Sequence, residues 1–380
     1  MAASPPDPDS SYEVIVVGGG IAGSAAALRA AQYLHRTLWI RGSKLDAKRS
    51  RAQWVYNIDN MIGVHDGIVR KKVRKLLRGE AHAEARAALD AAPHLPISTR
   101  DIVDNAVERI VEGYGQYVDQ LEDTATEARR SEDGSFQVTV DGRTYRAPHL
   151  VLATGVMDRQ PEILKTTRKG EVKDDIKWIY PAANREQVLY CIRCEGHLTR
   201  GQKVAVIGAS ETTAQIAMML HERYASAAAV LTNGEEPGWS ADSARLLEHY
   251  GVAVHRSRIT AIDAGSDRLQ PIQLEDGSEV DAEWGLVSMG LYCTYNDLAV
   301  QLGAQLGDEG RPQQERHVRI DARGETSVPN LFVVGDLAQR EDEPVMKQVY
   351  TSQEYAVRAL DVIDRRMRLA RRKAILDELS

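Results

Sequence analysis

The sequence predicts an α/β chain with two parallel-sheet units of dinucleotide-binding type, and three observations carry that expectation. A short apolar strand, Glu13 to Val17, runs into Gly18-Gly19-Gly20 and a small-residue helix over Ile21 to Tyr33, with a second strand from Thr37 to Ile40. The same order recurs later: a strand from Gln202 to Ile207, a turn from Gly208, a helix over Thr212 to Glu222 and a strand over Ala228 to Leu231. Near the end, Asn330-Leu-Phe-Val-Val-Gly335-Asp336 reads as a buried strand closing on Gly-Asp. Each strand–turn–helix–strand stretch has about the length of a βαβ crossover and nucleates its own parallel sheet.

Composition sets the bounds. A chain of 380 residues with 43% apolar content builds two or three domains with ordinary cores. A net charge of −7 gives no bulk reason to expect nucleic acid, and no apolar run approaches the length of a bilayer span. Residues 1–11, MAASPPDPDSS, are polar and Pro-rich with no basic start, so they predict a disordered leader, not a signal peptide. Three cysteines cannot form a disulfide framework, and two are spaced C-x-x-C. Without a secretion signal that spacing points to redox or metal chemistry in a reducing compartment, hence a cytoplasmic location.

Between and after the two units, residues 69–90 predict a helix rich in Ala, Arg and Glu, and 135–152 a β-meander turning at Asp141-Gly142. Val252 to Ile262 and Pro271 to Val280 predict strands, with a turn at Asp276-Gly277. The tail from Thr351 predicts a helix to the end, its charged stretch 365–380 solvated.

Gly18-x-Gly20-x-x-Gly23, placed after a strand and opening a helix, is the dinucleotide fingerprint: turn, close backbone approach to a pyrophosphate, and helix–strand packing. The helix N-terminus then meets the phosphates. At the end of the second strand, where a carboxylate would accept from ribose hydroxyls, stands Arg41, which only donates. It reads either as a clamp for an NADP phosphate or, preferably, as a solvated strand-end arginine. Cys191-Ile-Arg-Cys194 at a helix start brings two sulfurs within bonding distance and favours a thiolate. A metal site of Cys191, Cys194 and His197 lacks a convincing fourth ligand, so no metal is assigned. Cys293 reads as a small core residue.

The segments VIVVGGGIAG, IDNMIGVHDGI, VLATG, VLYCIRCEGH, RGQKVAVIGAS, SMG, TSVPNLFVVGD and KQVYTSQEYAVRAL resemble the low-molecular-weight thioredoxin reductase family from Tyr12 to Asp364. The resemblance implies two Rossmann-like domains in three ββα layers. A discontinuous FAD domain would span 12–165 and 293–364, and a central domain, 166–292, would carry the cysteines. Gly18, Gly20 and Gly23 would cradle the FAD pyrophosphate. Thr154 and Gly155 would form the adjoining turn, Gly335 would close the strand before Asp336, and Asn60, Asp336 and Gln348 would contact the isoalloxazine or ribityl part. Cys194 would face the flavin and Cys191 the partner disulfide, with Glu195, where the family has aspartate, moving the proton. A homodimer whose central domains rotate, and a thioredoxin-like protein or small dithiol as partner, are further implications.

The second unit departs from the family. Its turn reads Gly208-Ala209-Ser210-Glu211-Thr212-Thr213 for the family's Gly-x-Gly-x-x-Ala, and Thr232-Asn233-Gly234-Glu235-Glu236 replaces the basic cluster that grips the NADP 2′-phosphate. Both changes disfavour NADPH. The remaining donors are NADH, a ferredoxin-type carrier as in the pyridine-nucleotide-independent branches (one with a second FAD), or a small dithiol oxidised at the expense of oxygen. The basic run Arg70 to Arg78 would dock an acidic carrier, or is simply a solvated helix face. An added polar segment, Lys165 to Lys177, precedes Trp178 and Tyr180, and Tyr350 and Tyr355 read either as flavin cover or as core.

Overall fold

The computed structural model describes residues 6–380 other than 9, 56, 57, 59, 96, 167, 168, 342 and 344. The leader expected over 1–11 lies largely outside the described residues. Two five-stranded parallel sheets form the molecule. In the first, strands run in the order Leu331–Val333, His149–Leu152, Val14–Val17, Thr37–Ile40 and Val118–Leu121. All are in parallel register, for example Val14 with Thr37 and with His149. The near-continuous apolar runs VIVV, TLWI and HLVL suit strands covered on both faces. One face carries the helices Ile21–Gln32 and Thr99–Tyr114, and the other an antiparallel meander, Ala125–Arg130, Phe136–Val140 and Arg143–Ala147.

Small residues decide how closely these layers approach. Ala22, Ala26, Ala27, Ala30 and Ala31 are buried on the first helix, which packs against Ala356 and Ala359 of the C-terminal helix Val349–Glu378. Trp39, Phe136, Tyr145 and Phe332 fill the remaining volume at under 2% exposure, each such side chain contributing about 1.5–3 kcal/mol.

The second sheet has the order Val188–Leu189, Trp284–Val287, Lys203–Ile207, Ala227–Leu231 and Ala253–His255, again parallel. An antiparallel ribbon, Val156–Asp158 against Leu291–Thr294, joins the two sheets. Parallel-sheet, Rossmann-like halves are therefore the architecture.

Several elements differ from expectation. The strand His149–Leu152 leaves the meander and enters the parallel sheet, because HLVL is buried on both faces while the meander strands alternate. Residues 69–90 divide into helices Asp66–Leu76 and Ala83–Ala91 around Gly79 at φ 92°. Val252 to Ile262 breaks into Ala253–His255 and Ile259–Ala261. The polar insertion folds as a hairpin, Ile163–Thr166 with Val172–Asp175, which straddles the boundary drawn at 165, and Ile163 packs in the second core. The charged stretch 365–380 is no separate element but the outer half of Val349–Glu378. Helix Thr99–Tyr114 and strand Val118–Leu121 fall where no element was expected; a Ser98/Asp101 capping box starts that helix. Among the described residues, no helix is long and apolar enough to cross a membrane.

Candidate functional site

The first glycine turn is built to leave room. Gly18 sits at φ +129°, and a Cβ there would lie 2.2 Å from the Ala153 carbonyl oxygen; one at Gly23 would lie 1.9 Å from Gly18 O. Trp39 Nε1 donates to that same Gly18 oxygen at 2.8 Å, pinning the turn to the second strand. Gly20 is different: nothing lies within 4 Å of its Cβ position. It is the N-cap of Ile21–Gln32 and offers no side-chain cap, so the first-turn amides keep their donors for another group.

Thr154 and Gly155 flank this turn. Thr154 Oγ1 donates to Tyr295 O at 2.6 Å, and Gly155, at φ 71°, accepts from Tyr295 N at 3.0 Å. Gly335, at φ 75°, brings the chain against Ala22. Asp336 follows, its Oδ1 accepting from Ser352 Oγ at 3.3 Å. Arg41, at the end of the second strand, is part-buried and pairs at the surface. Its Nη1 donates to Glu122 Oε1 at 2.9 Å, and its guanidinium lies over Trp39, 5.2 Å from the ring centre. The neighbouring strand thus returns a carboxylate to the place where the second strand lacks one.

Cys191 and Cys194 are disulfide-bonded, with Cα atoms 5.3 Å apart. Cys191 caps the short helix Ile192–Glu195, its Sγ accepting from Cys194 N at 3.3 Å. Cys191 is half-buried, whereas Cys194 is 6% exposed. Gln348, the N-cap of the C-terminal helix, donates through Nε2 to Cys194 Sγ at 3.3 Å and Cys191 Sγ at 3.5 Å. Its Oε1 accepts from Asn60 Nδ2 at 2.6 Å. The residues expected at the flavin end and the redox pair therefore meet directly.

Glu195 is buried at 2% exposure, and its Oε2 accepts from the amides of Tyr190 and Cys191, both at 3.0 Å. Burial pushes its pKa up to about 7, against the pull of those amides and of Arg51. Such a carboxyl holds or releases a proton near neutrality.

Arg51 is the part of this site that sequence reasoning missed. Its Nη1 donates to Asp158 Oδ1 at 2.5 Å, and its Nε lies 3.7 Å from Asp336 Oδ2. Burial works against its charge, yet Asp158, Asp336 and Glu195 hold it above the ordinary arginine value. Burial lowers the neighbouring Lys347 and raises Asp336. No motif surrounds Arg51 or Asp158; the joining ribbon and the short 3-10 turn Arg51–Gln53 bring them together. Trp54 was missed as well. It packs with the second core and meets Tyr180 and Tyr190 at ring distances of 4.7 and 5.7 Å. Of the two tyrosines weighed as flavin cover, Tyr355 is buried under Arg340 and Tyr350 is exposed. Cys293 lies half-buried on the joining ribbon, and burial raises its thiol.

The second turn is closed by its own side chains. Ser210 Oγ accepts from Thr213 N at 3.3 Å while Thr213 Oγ1 accepts from Ser210 N at 3.2 Å, a reciprocal capping box. Thr213 Oγ1 also donates to Ser288 O at 2.8 Å. A strap, residues 235–240, lies across the same end: Gly238 N donates to Ala209 O at 2.7 Å. Glu211 accepts from Ser240 N at 2.7 Å and Ser243 Oγ at 2.5 Å. The Ser243 and Ser240 bonds hold its carboxyl low, at about 2. Glu235 pairs with Arg159 at 2.7 Å.

In the basic run Arg70 turns inward, pairing with Asp66 and capping the Leu89 and Ala92 carbonyls, while the exposed Arg74 pairs with Asp90. His65, Asp66 and His94 come together in a group the sequence did not single out. Its carboxylate is already engaged by Arg70, His94 and the Leu95 amide.

The residues present fit a flavin dinucleotide. Gly20 leaves an open cradle at an uncapped helix end. Asp336 is positioned as an acceptor, and among the described residues Asp158 Oδ2 is buried with no hydrogen-bond partner. A family model described as pyridine nucleotide-disulphide oxidoreductase matches residues 12–356. The F component of alkyl hydroperoxide reductase from Pseudomonas putida is 24% identical over 334 residues, 86% of this chain and 53% of that protein, so the chain spans about half its length. Thioredoxin reductase aclT of Aspergillus oryzae is 24% identical over 354 residues, 90% and 91% of the two chains. The putative thioredoxin reductase TrxB of Bacillus anthracis superposes with a TM-score of 0.67 at 17% identity, covering 95% of this chain and 99% of that one. HlmI gives 0.70 at 18%, covering 99% and 100%. At these identities the solved structures speak for the fold alone. With the family model spanning most of the chain, the protein belongs to the pyridine nucleotide-disulphide oxidoreductase family and is a flavin-dependent disulfide oxidoreductase.

Proposed function

We propose that the protein reduces a thioredoxin-like protein disulfide through Cys191 and Cys194, drawing electrons from a donor other than NADPH. The observation that carries this reading is the self-capped second turn, where the Ser210 and Thr213 side chains take two of the amides that a dinucleotide phosphate would use and the 235–240 strap bonds to Ala209 beside them. A ferredoxin-type carrier is the first candidate donor. Lys71, Lys72 and Lys75 remain outward on the Asp66–Leu76 helix to meet an acidic surface.

In the proposed cycle, Gly18, Gly20, Gly23, Thr154, Gly155, Gly335 and Asp336 would hold an FAD, which when bound would supply the redox chemistry for opening the Cys191–Cys194 bond. Asn60 and Gln348 orient the sulfurs, and Arg41 acts through Glu122 at the ribose end. Cys191, the more accessible thiol, attacks the partner disulfide as a thiolate. Cys194 then attacks the mixed disulfide, releasing the partner's second thiolate, and Glu195 provides a proton near neutrality. Domain limits near 165 and 293, a homodimer and a cytoplasmic site belong to the same proposal.

The closed nicotinamide end also favours a second reading, in which a small dithiol is the donor and oxygen the final acceptor. Anaerobic titration of the purified yellow protein with NADPH, NADH, reduced ferredoxin and a small dithiol, with flavin counted per chain, separates the two. Bleaching by ferredoxin alone supports the first. Bleaching by dithiol, with oxygen consumed on readmitting air, supports the second. Stoichiometric bleaching by NADPH overturns both, and a flavin count near two assigns the second site to a second FAD.

A further inference from the structure

A line of buried polar contacts runs from the flavin lobe to the redox helix. Asp336 faces Arg51 Nε, and Arg51 Nη1 donates to Asp158. Gln160 Nε2 donates to Asp158 O at 3.3 Å, and Tyr190 donates its hydroxyl proton to Gln160 Oε1 at 2.8 Å. Tyr190 N donates to Glu195. Asp158, Gln160 and Glu195 are 8%, 5% and 2% exposed, so the line is shielded from solvent and its charges act over longer range than surface charges do. Among the described residues, the charged side chains bearing on Glu195 include Arg51, which favours its carboxylate, and Glu186, which opposes it. Those bearing on Arg51 are Asp158, Asp336 and Glu195, with Lys347 beside them.

We infer that Arg51 is a positioning residue for the dithiol step: clamped between Asp158 and Asp336, it sets the field in which Glu195 exchanges its proton with the cysteine pair. The inference rests on the reading of Cys191–Cys194 as the redox pair and Glu195 as its proton partner. Arg51's positive charge favours the Glu195 carboxylate, and Asp158 tempers that charge. Removing Arg51 makes Glu195 keep its proton to higher pH; removing the charge of Asp158 makes it release the proton earlier.

The test opens the disulfide of the flavin-loaded protein with dithiothreitol, quenches with N-ethylmaleimide and counts alkylated cysteines by mass spectrometry from pH 5.5 to 9. One reagent thiolate attacks a sulfur of the pair, and the other sulfur leaves and takes a proton. The second reagent thiolate then displaces the first cysteine. The reagent ends as its cyclic disulfide, and the pair gains two electrons and two protons. Rates are divided by the reagent's thiolate fraction, which removes its own titration.

The wild-type profile is expected to bend near pH 7, the value burial gives Glu195. Arg51→Met should move the bend up by about one unit, Arg51→Lys should restore it, and Asp158→Asn should move it down. Glu195→Gln should abolish the bend with or without Arg51. If Arg51→Met destabilises the chain, Asp158→Asn and Arg51→Lys carry the test, each checked by circular dichroism. An unmoved bend in Arg51→Met and Asp158→Asn, with Glu195→Gln still flattening the profile, overturns the role of Arg51 alone. A bend that survives Glu195→Gln overturns the role of Glu195 and this inference with it. A pair that never opens overturns the proposed function itself.

Discussion

The two glycine turns occupy equivalent places in their sheets and have been used in opposite ways. Gly20 begins its helix with no side chain and no cap, whereas Ser210 begins its own with a hydroxyl that takes the amide of Thr213. Gly23 approaches Gly18 with no room for a Cβ, while Thr213 turns its hydroxyl back to Ser288. A helix N-terminus that satisfies some of its own amides gains local stability and has fewer of them to offer an anion. The amides that cap a helix are the same ones that would hold a phosphate.

Exchanging residues between the turns breaks or sharpens this contrast. Gly23→Thr, which copies the second turn into the first, is expected to cost about 3 kcal/mol or more through contact with Gly18 O. Denaturant midpoint and flavin content both report it, and an unchanged midpoint would mean that the turn relaxes freely.

Glu195, on the redox helix that lies against both lobes, gives the next effect. Its folded pKa, about 7, lies above the ordinary 4.5. The carboxyl therefore contributes stability that is fully present below about 4.5 and is lost as pH rises through about 7. The loss amounts to about 3 kcal/mol at most. Glu195→Gln should consequently flatten the fall in melting temperature between pH 5 and pH 8. An equal fall in both proteins would refute the assignment.

Gly20→Ser should fold normally, because space is open at its Cβ position, yet lose FAD affinity about tenfold, roughly 1.4 kcal/mol. Fluorescence of released flavin measures it. Ser210→Ala should be the mildest, about 1 kcal/mol of stability from the lost cap, with no gain of nicotinamide binding while the 235–240 strap stays in place.

The glycine-rich turns, the terminal Gly335-Asp336 and the C-x-x-C pair were legible in the sequence because each depends on local backbone demands that a short motif records. Ser210 and Glu211 were legible as departures, but their use as a capping box and as an anchor for the strap was not, since Ser240 and Ser243 lie some thirty residues away. Arg51 and Asp158 were invisible for a plainer reason: their meeting depends on a loop and a two-stranded ribbon, and neither carries a residue pattern. Arg41 was noticed, but its partner was not, because Glu122 adjoins a strand, Val118–Leu121, that the sequence did not announce. The same distance effect hid Trp54, whose ring partners lie on the other lobe.

The strand order of the first sheet has a consequence for assembly during synthesis. Leu331–Val333 pairs with residues 150–152, across the whole intervening second sheet, and the helix that packs on Ile21–Gln32 begins only at Val349. The second sheet is closed by pairings among strands drawn from 188–287 alone. A chain emerging from the ribosome therefore holds every strand of its second sheet before its first has an outer edge. Until residues 331–333 are made, the strand His149–Leu152 presents an open hydrogen-bonding edge. The stretch from Leu331 to Val349 both covers that edge and carries Gln348 to the cysteines, so closing the first sheet and placing an amide beside the disulfide depend on one segment of chain.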